Sequence, residues 1–385
     1  MNSQAAIAAR AILRIPWAMA SRSSALIATL VLVPVELGCN SVSSTRVDAI
    51  VGADALWGGG GFCARTPAGL MCWDTGEGQV VTAGPTVVQG IEGVQGVALR
   101  IGEGCALHAK GVSCFRPGEA ASRPLAFDRP TQIVATGGYP GLVCVLDASG
   151  VSCWGGEVRT PTPQPALGKP NALFVSTNGG ALCGLHDDGP RCFEINFQGQ
   201  IGKGIRLGGV KDLKGLMVST TGGHAYVVDG TTASYGDFEG TLRVGNPFAA
   251  SNPLDVDVTV QPFHGATVTP KPIPGVGAVR AMANWSIWPV VLDDQGIATI
   301  DAHAGKIDIE RWPAKSTVSD LWSGYHNVFY AREGDTLHER GREDGKLFDR
   351  VVEGISKPEQ VAPDTYYTCV LEEGGGVGCL RSPRD

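Results

Sequence analysis

The sequence predicts an all-β protein built from repeated antiparallel hairpins, and three observations predict it. Ten of the eleven cysteines fall into five short-range pairs, the leading cysteines recur at a step near 40 residues, and glycine reaches 54 of 385 residues. That glycine content is roughly twice average usage; without a Gly-x-y period it excludes collagen and points to many tight turns. No stretch of helix length carries an amphipathic period. With 43% hydrophobic, 18% charged and 7% aromatic residues, the chain can bury a sizeable core and is not a disordered tail.

The pairs are Cys63 with Cys72, Cys105 with Cys114, Cys144 with Cys153, Cys183 with Cys192, and Cys369 with Cys379. Four have the spacing C-x8-C, and the fifth is one residue longer, within the run Gly374-Gly375-Gly376. Structural zinc sites favour cysteines two to four apart, so the metal reading fails on spacing. A hairpin fits: two ladder pairs on each side of a four-residue turn set the cysteines opposite one another. Their Cα atoms then lie roughly 4.5 Å or 5.5 Å apart, within disulfide reach. Each closed loop removes on the order of 2 to 3 kcal/mol of unfolded-state entropy.

The paired cysteines recur with their surroundings, as in "CALHAKGVSCFR" and "CVLDASGVSCWG". A fixed step near 40 residues marks a repeat architecture. Continuing it finds three copies without Cys near Ala225, Val290 and Val328, and Cys369 then closes a series of eight hairpins. Each unit is entered by an apolar segment ending in Gly, such as "VQGVALRIGEG", and several leave through turns such as "GQIGKG" at 199–204. With Cys153-Trp154-Gly155, Cys105-Ala106-Leu107 and the histidines His224 and His326, the pattern resembles the regulator-of-chromosome-condensation repeat family in its Cys-rich bacterial form. The resemblance covers residues 47–385 and implies a closed β-propeller with four short antiparallel strands per blade. Eight hairpins leave seven or eight blades open, since a terminal copy can complete a shared blade. On a closed ring the five Cys-bearing copies form one arc across the seam where the chain ends meet.

Residues 1–38 read as a secretion signal: Arg22, then the apolar run Ala25 to Val35, then a small residue before Cys39. The run is too short to span a bilayer. A start at Met19 gives a signal of ordinary length. Leu37-Gly38-Cys39 resembles the lipobox of bacterial lipoproteins, with Glu36 standing where that family prefers Leu, and implies a lipidated Cys39. Residues 39–46 are then the lipidated Cys and a polar tether. Disulfides and export agree on an oxidising, extracytoplasmic location, membrane-anchored or secreted.

Formal charge is -7, and removal of the signal leaves it near -9, which argues against a nucleic-acid partner. No H-E-x-x-H, C-x-x-C or G-x-S-x-G occurs, so no metal, cofactor or catalytic residue is assigned. The acidic pairs Asp187-Asp188, Asp293-Asp294 and Glu372-Glu373 adjoin hairpin glycines and read as turn chemistry. One step is long and holds an insertion at about 245–272, with strand-like alternation at 254–260. Insertions in one repeat project from one face, which nominates Phe248, Phe263 and His264 for partner contact. The expectation is a monomeric binding or scaffold module for a protein or polysaccharide partner, with an extracytoplasmic enzyme acting on cell-wall or extracellular polymer as the alternative.

Overall fold

A computed structural model describes residues 41–74, 84–116, 119–136, 141–155, 158–176, 181–195, 201–219, 224–237, 267–285, 288–303, 306–312, 318–324, 328–343, 346–364 and 366–381. They form a β-propeller of eight blades in a ring, which settles the blade count left open by the repeat. Each sheet stays open, and the ring closes by blade-on-blade packing.

Blade 1 runs Ala55–Gly58, Phe62–Thr66, Gly69–Trp73 and Thr86–Val87 from the axis outward. Blade 2 has Gly96–Arg100, Glu103–His108 and Gly111–Phe115, plus a single bridge from Val112 to Leu125 in place of a fourth strand. Blade 3 holds Gln132–Ala135, Leu142–Asp147, Gly150–Gly155 and Val158–Pro163. Blade 4 holds Ala172–Val175, Ala181–His186, Gly189–Ile195 and Ile201–Leu207. Blade 5 is Leu213–Ser219, His224–Asp229 and Thr232–Asp237, completed by Lys271–Pro272, the described end of the insertion. Just before it, Thr267–Val268 pairs parallel with the outer strand of blade 4. Blade 6 is Ala281–Trp285, Trp288–Asp293, Gly296–His303 and Lys306–Arg311. Blade 7 is Val318–Ser323, Val328–Glu333, Thr336–Glu343 and Lys346–Glu353. Blade 8 takes Pro358–Pro363, Tyr367–Glu372 and Val377–Arg381 from the C-terminus, and Thr45–Arg46 from the N-terminus as its outer strand.

That last pairing makes the seam. Ser41–Ser43 adds parallel to the outer strand of blade 7, and Thr45–Arg46 pairs with Val377–Arg381, so the segment is built into the ring. The polar residues Ser and Thr suit an exposed outer edge, where one backbone side is paired and side chains face water. Arg46 also bonds the buried Glu372 carboxylate. Between blades 8 and 1, Gln360 donates its amide to Leu56 O and accepts from Leu56 N at 3.0 Å, and Asp364 Oδ1 accepts Gly60 N at 2.8 Å.

All five cysteine pairs are disulfides across the second and third strands, with Cα separations of 3.9–4.1 Å. That distance matches the close, non-hydrogen-bonded type of antiparallel pair. The turn is tighter than the spacing suggested. In blades 1–4 three ladder pairs follow the cysteines and only two residues remain in the loop, as at Asp147↔Gly150 around Ala148-Ser149. The closing glycine makes this possible: Gly69, Gly111, Gly150 and Gly189 have φ of +113 to +131°, a region closed to other residues.

Candidate functional site

The residue that opens each hairpin turn is polar, and in blades 3, 5, 6 and 8 it accepts a backbone N–H from the segment before the blade. Asp147 accepts Ser149 N and Gly150 N on one oxygen and Asp128 N on the other. Asp293, fully buried, accepts Gly277 N, Gln295 N and both terminal nitrogens of Arg311 at 2.8–2.9 Å. Burial alone would raise its pKa, but these charge-assisted bonds outweigh it and hold the carboxyl below the usual range. Glu372 likewise accepts Ser356 N. Two acidic pairs read as turn chemistry thus have their first carboxylates in backbone capping, and in the third Asn171 donates to Asp187.

Blades 5–7 lack Cys, and their residues at the same register differ in kind: Tyr226↔Tyr235, Val290↔Thr299 and Tyr330↔Glu339. In blade 7 the Tyr330 hydroxyl donates to Glu339 Oε1 at 3.2 Å in a fully buried setting. Burial pushes the Glu339 carboxyl up to about 7. Beside it, Glu333, His338 and Asp349 place ligand atoms within 4.8 Å of one another. By distance they could hold a cation. The Arg340 guanidinium, however, bonds both Glu333 and Asp349 from a buried position and supplies that positive charge itself. The cluster is an ion network that locks blade 7.

The feature with the chemistry of a binding site lies between blades 6 and 7. A cavity of about 310 Å³ is lined by Trp285, Trp288, Asp301, Asp308, Glu310 and Arg342, with Thr299, Ile300 and Ile309. Its residues come from strand ends away from the two-residue turns. Trp285 ends the inner strand and Trp288 begins the second, while Asp301 and Asp308 face each other across the third and outer strands. Period-two alternation puts Thr299 and Asp301 on one face with Glu310 and Asp308, their cross-strand partners. Two carboxylates directly opposite cost stability. Lys306 offsets part of this by bonding Asp308 at 2.8 Å.

The aromatic wall is fixed from behind. Trp285 packs at 50° to Trp288 and edge-on to Trp312, which stands edge-on to Phe329. Trp312 Nε1 donates to Thr299 Oγ1 at 3.0 Å. Arg342 lies over the Trp285 ring at 5.4 Å and bonds Glu310 at 2.8 Å, bridging the blades. Trp285 itself is 4% exposed, and its indole N–H has no hydrogen-bond partner among the described residues.

Of the residues nominated from sequence, Cys39, Phe248, Phe263 and His264 lie outside the described residues, as does the strand-like stretch 254–260. The chain leaves blade 5 after Asp237, at the same end of the blade as the cavity-lining strand ends of blade 6. Sequence reasoning missed the cavity. Trp285 and Arg342 are 57 positions apart in two Cys-free copies. The alternations Thr299-x-Asp301 and Asp308-x-Glu310 were the available signal.

No family model and no curated protein matches the chain. Among solved structures it is similar to virginiamycin B lyase from Staphylococcus aureus, at 14% identity and TM-score 0.43, covering 76% of this chain and 95% of that one. It is also similar to BamB from Moraxella catarrhalis, at 12% identity and TM-score 0.48, covering 89% and 99%. A third is yeast RCC1 (Prp20) bound to Kap60, at 12% identity and TM-score 0.38, covering 62% and 68%.

Proposed function

We propose that the chain is an exported propeller of the regulator-of-chromosome-condensation repeat type that acts as a binding or scaffold module for a protein or polysaccharide. It works as a monomer outside the cytoplasm, held to a membrane through lipid on Cys39 or secreted. The observation that carries this reading is the set of five cross-strand disulfides, nine of whose ten cysteines are buried. Such bonds form and persist in oxidising compartments and are rare in the cytosol. No helix among the described residues is long and apolar enough to cross a membrane. Rigid blades with loops gathered at the ring's ends suit recognition by many small contacts.

Intact mass of protein from membrane and soluble fractions, alkylated before and after reduction, tests the location. A chain starting at Cys39 with added lipid, exposing ten thiols only on reduction, is expected. Free thiols in a cytosolic chain would overturn it. The three carboxylates of the cavity favour the second reading, an enzyme acting on polymer. A bell-shaped pH dependence of polymer cleavage would mark that enzyme, and a module would only retain the polymer.

A further inference from the structure

We propose that the cavity between blades 6 and 7 binds one neutral pyranose ring of a saccharide, stacked on Trp288 and held by hydrogen bonds to Asp301, Asp308 and the Arg342–Glu310 pair. This rests on the binding-module reading above and names the ligand class of its site. Three observations converge. The volume of about 310 Å³ reaches the size at which pockets enclose a small ligand. A half-buried indole beside it offers a flat apolar surface to the C–H face of a sugar, with Trp285 and Trp312 fixing its neighbours. Planar carboxylate and guanidinium groups, each able to form paired hydrogen bonds, ring that surface and match adjacent sugar hydroxyls.

Charge separates a sugar from a cation. Glu310 is already paired with Arg342 and Asp308 with Lys306, so most of the negative charge is compensated before any ligand arrives. The Trp285 face that an ammonium ligand would seek has the Arg342 guanidinium over it. Hydroxyl groups, unlike a cation, gain from carboxylates and guanidinium together. The opposed pair Asp301 and Asp308 costs stability in the free protein, and a hydroxyl donating to both offsets that cost.

The test is titration of the full mature chain, followed by calorimetry and tryptophan fluorescence, with trimers of N-acetylglucosamine, glucose in β-1,4 linkage and glucose in α-1,4 linkage, and with choline as the cationic control. Asp301 is exposed, so Asp301→Asn leaves the fold intact. Trp288→Ala is the second variant. Expected is saturable binding of at least one trimer with a fluorescence change, weakened roughly tenfold or more by each substitution. Retention on insoluble polymers and release of reducing ends are measured in parallel. Trimer binding untouched by both variants, no binding across the panel, or preference for choline overturns the proposal. Polymer retention independent of Trp288 and Asp301 overturns the pocket and leaves the module reading standing. Pocket-dependent binding with polymer cleavage does the reverse.

Discussion

Removing the disulfide beside the seam should open the ring locally, and a matched control exists on the far side. Cys369 and Cys379 are ten positions apart, Cys144 and Cys153 nine, and all four are buried. Loop-closure entropy for rings of this size contributes about 2.7 kcal/mol in either case, roughly a hundredfold in the folding equilibrium. The double variants C369A/C379A and C144A/C153A should therefore lose similar global stability in chemical denaturation. They differ in what the strand carries. Cys379 lies opposite Thr45, and Thr45–Arg46 has only two ladder partners, Cys379 and Gly378. The disulfide holds Val377–Arg381 to Tyr367–Glu372 and so fixes the strand on which the N-terminal segment closes the ring. Native-state hydrogen exchange of residues 41–46 and 377–381 should lose most of that protection in C369A/C379A and none in C144A/C153A. Equal loss at the seam in both variants would refute the idea that these disulfides guard it.

Two further predictions concern buried carboxylates of opposite sign. Glu339 has its pKa raised by burial to about 7, so its stabilising protonated form is complete below the ordinary value near 4.5 and is lost as pH rises through 7. That displacement corresponds to about 3 kcal/mol, so Glu339→Gln should flatten stability between pH 4.5 and 8 and exceed the parent at pH 8 in urea denaturation. An unchanged pH profile would refute it. Asp293 is the converse: its depressed pKa stabilises above the usual carboxylate range and is lost on acidification. Asp293→Asn removes the carboxylate from a part-exposed Arg311 that keeps its bond to Gly275 O, and should cost about 1.5 to 3 kcal/mol at pH 7. A cost under about 1 kcal/mol would show that water replaces the carboxylate.

The hairpins and their disulfides were legible because a covalent cross-link demands one register, and register shows as fixed spacing. The two-residue turn was not read from that spacing, because its tightness depends on the positive φ of glycines such as Gly150, a conformation invisible in residue counts alone. In blades 5–7 the same register carries a tyrosine pair, an aliphatic–hydroxyl pair and a tyrosine–carboxyl pair, which share no chemistry a pattern could detect. The cavity escaped for a related reason. Arg342 meets Trp285 and Glu310 across a blade boundary, and blade neighbours are set by the ring, not by local sequence. The N-terminal strands show the limit from the other side: "SVSSTR" is polar because it edges two blades, and an exposed edge and a solvated tether call for the same residues.

Building those strands into the ring changes what anchoring at Cys39 would mean. Only Asn40 separates Cys39 from Ser41, so the sulfur-bearing residue cannot stand more than about 7 Å of backbone from blade 7. A lipid there would hold the outer edge of blades 7 and 8 at the membrane surface, with no free linker to let the ring tumble. Lipidated protein on vesicles carrying a headgroup spin label should show broadened amide signals at 41–46 and 346–353, and sharp ones at 158–163 in blade 3 across the ring. Uniform broadening, or none, would mean that the edge strands detach on anchoring and serve as the tether after all. The seam would then be a latch that membrane attachment opens, and the protection pattern of C369A/C379A should reappear in the lipidated parent.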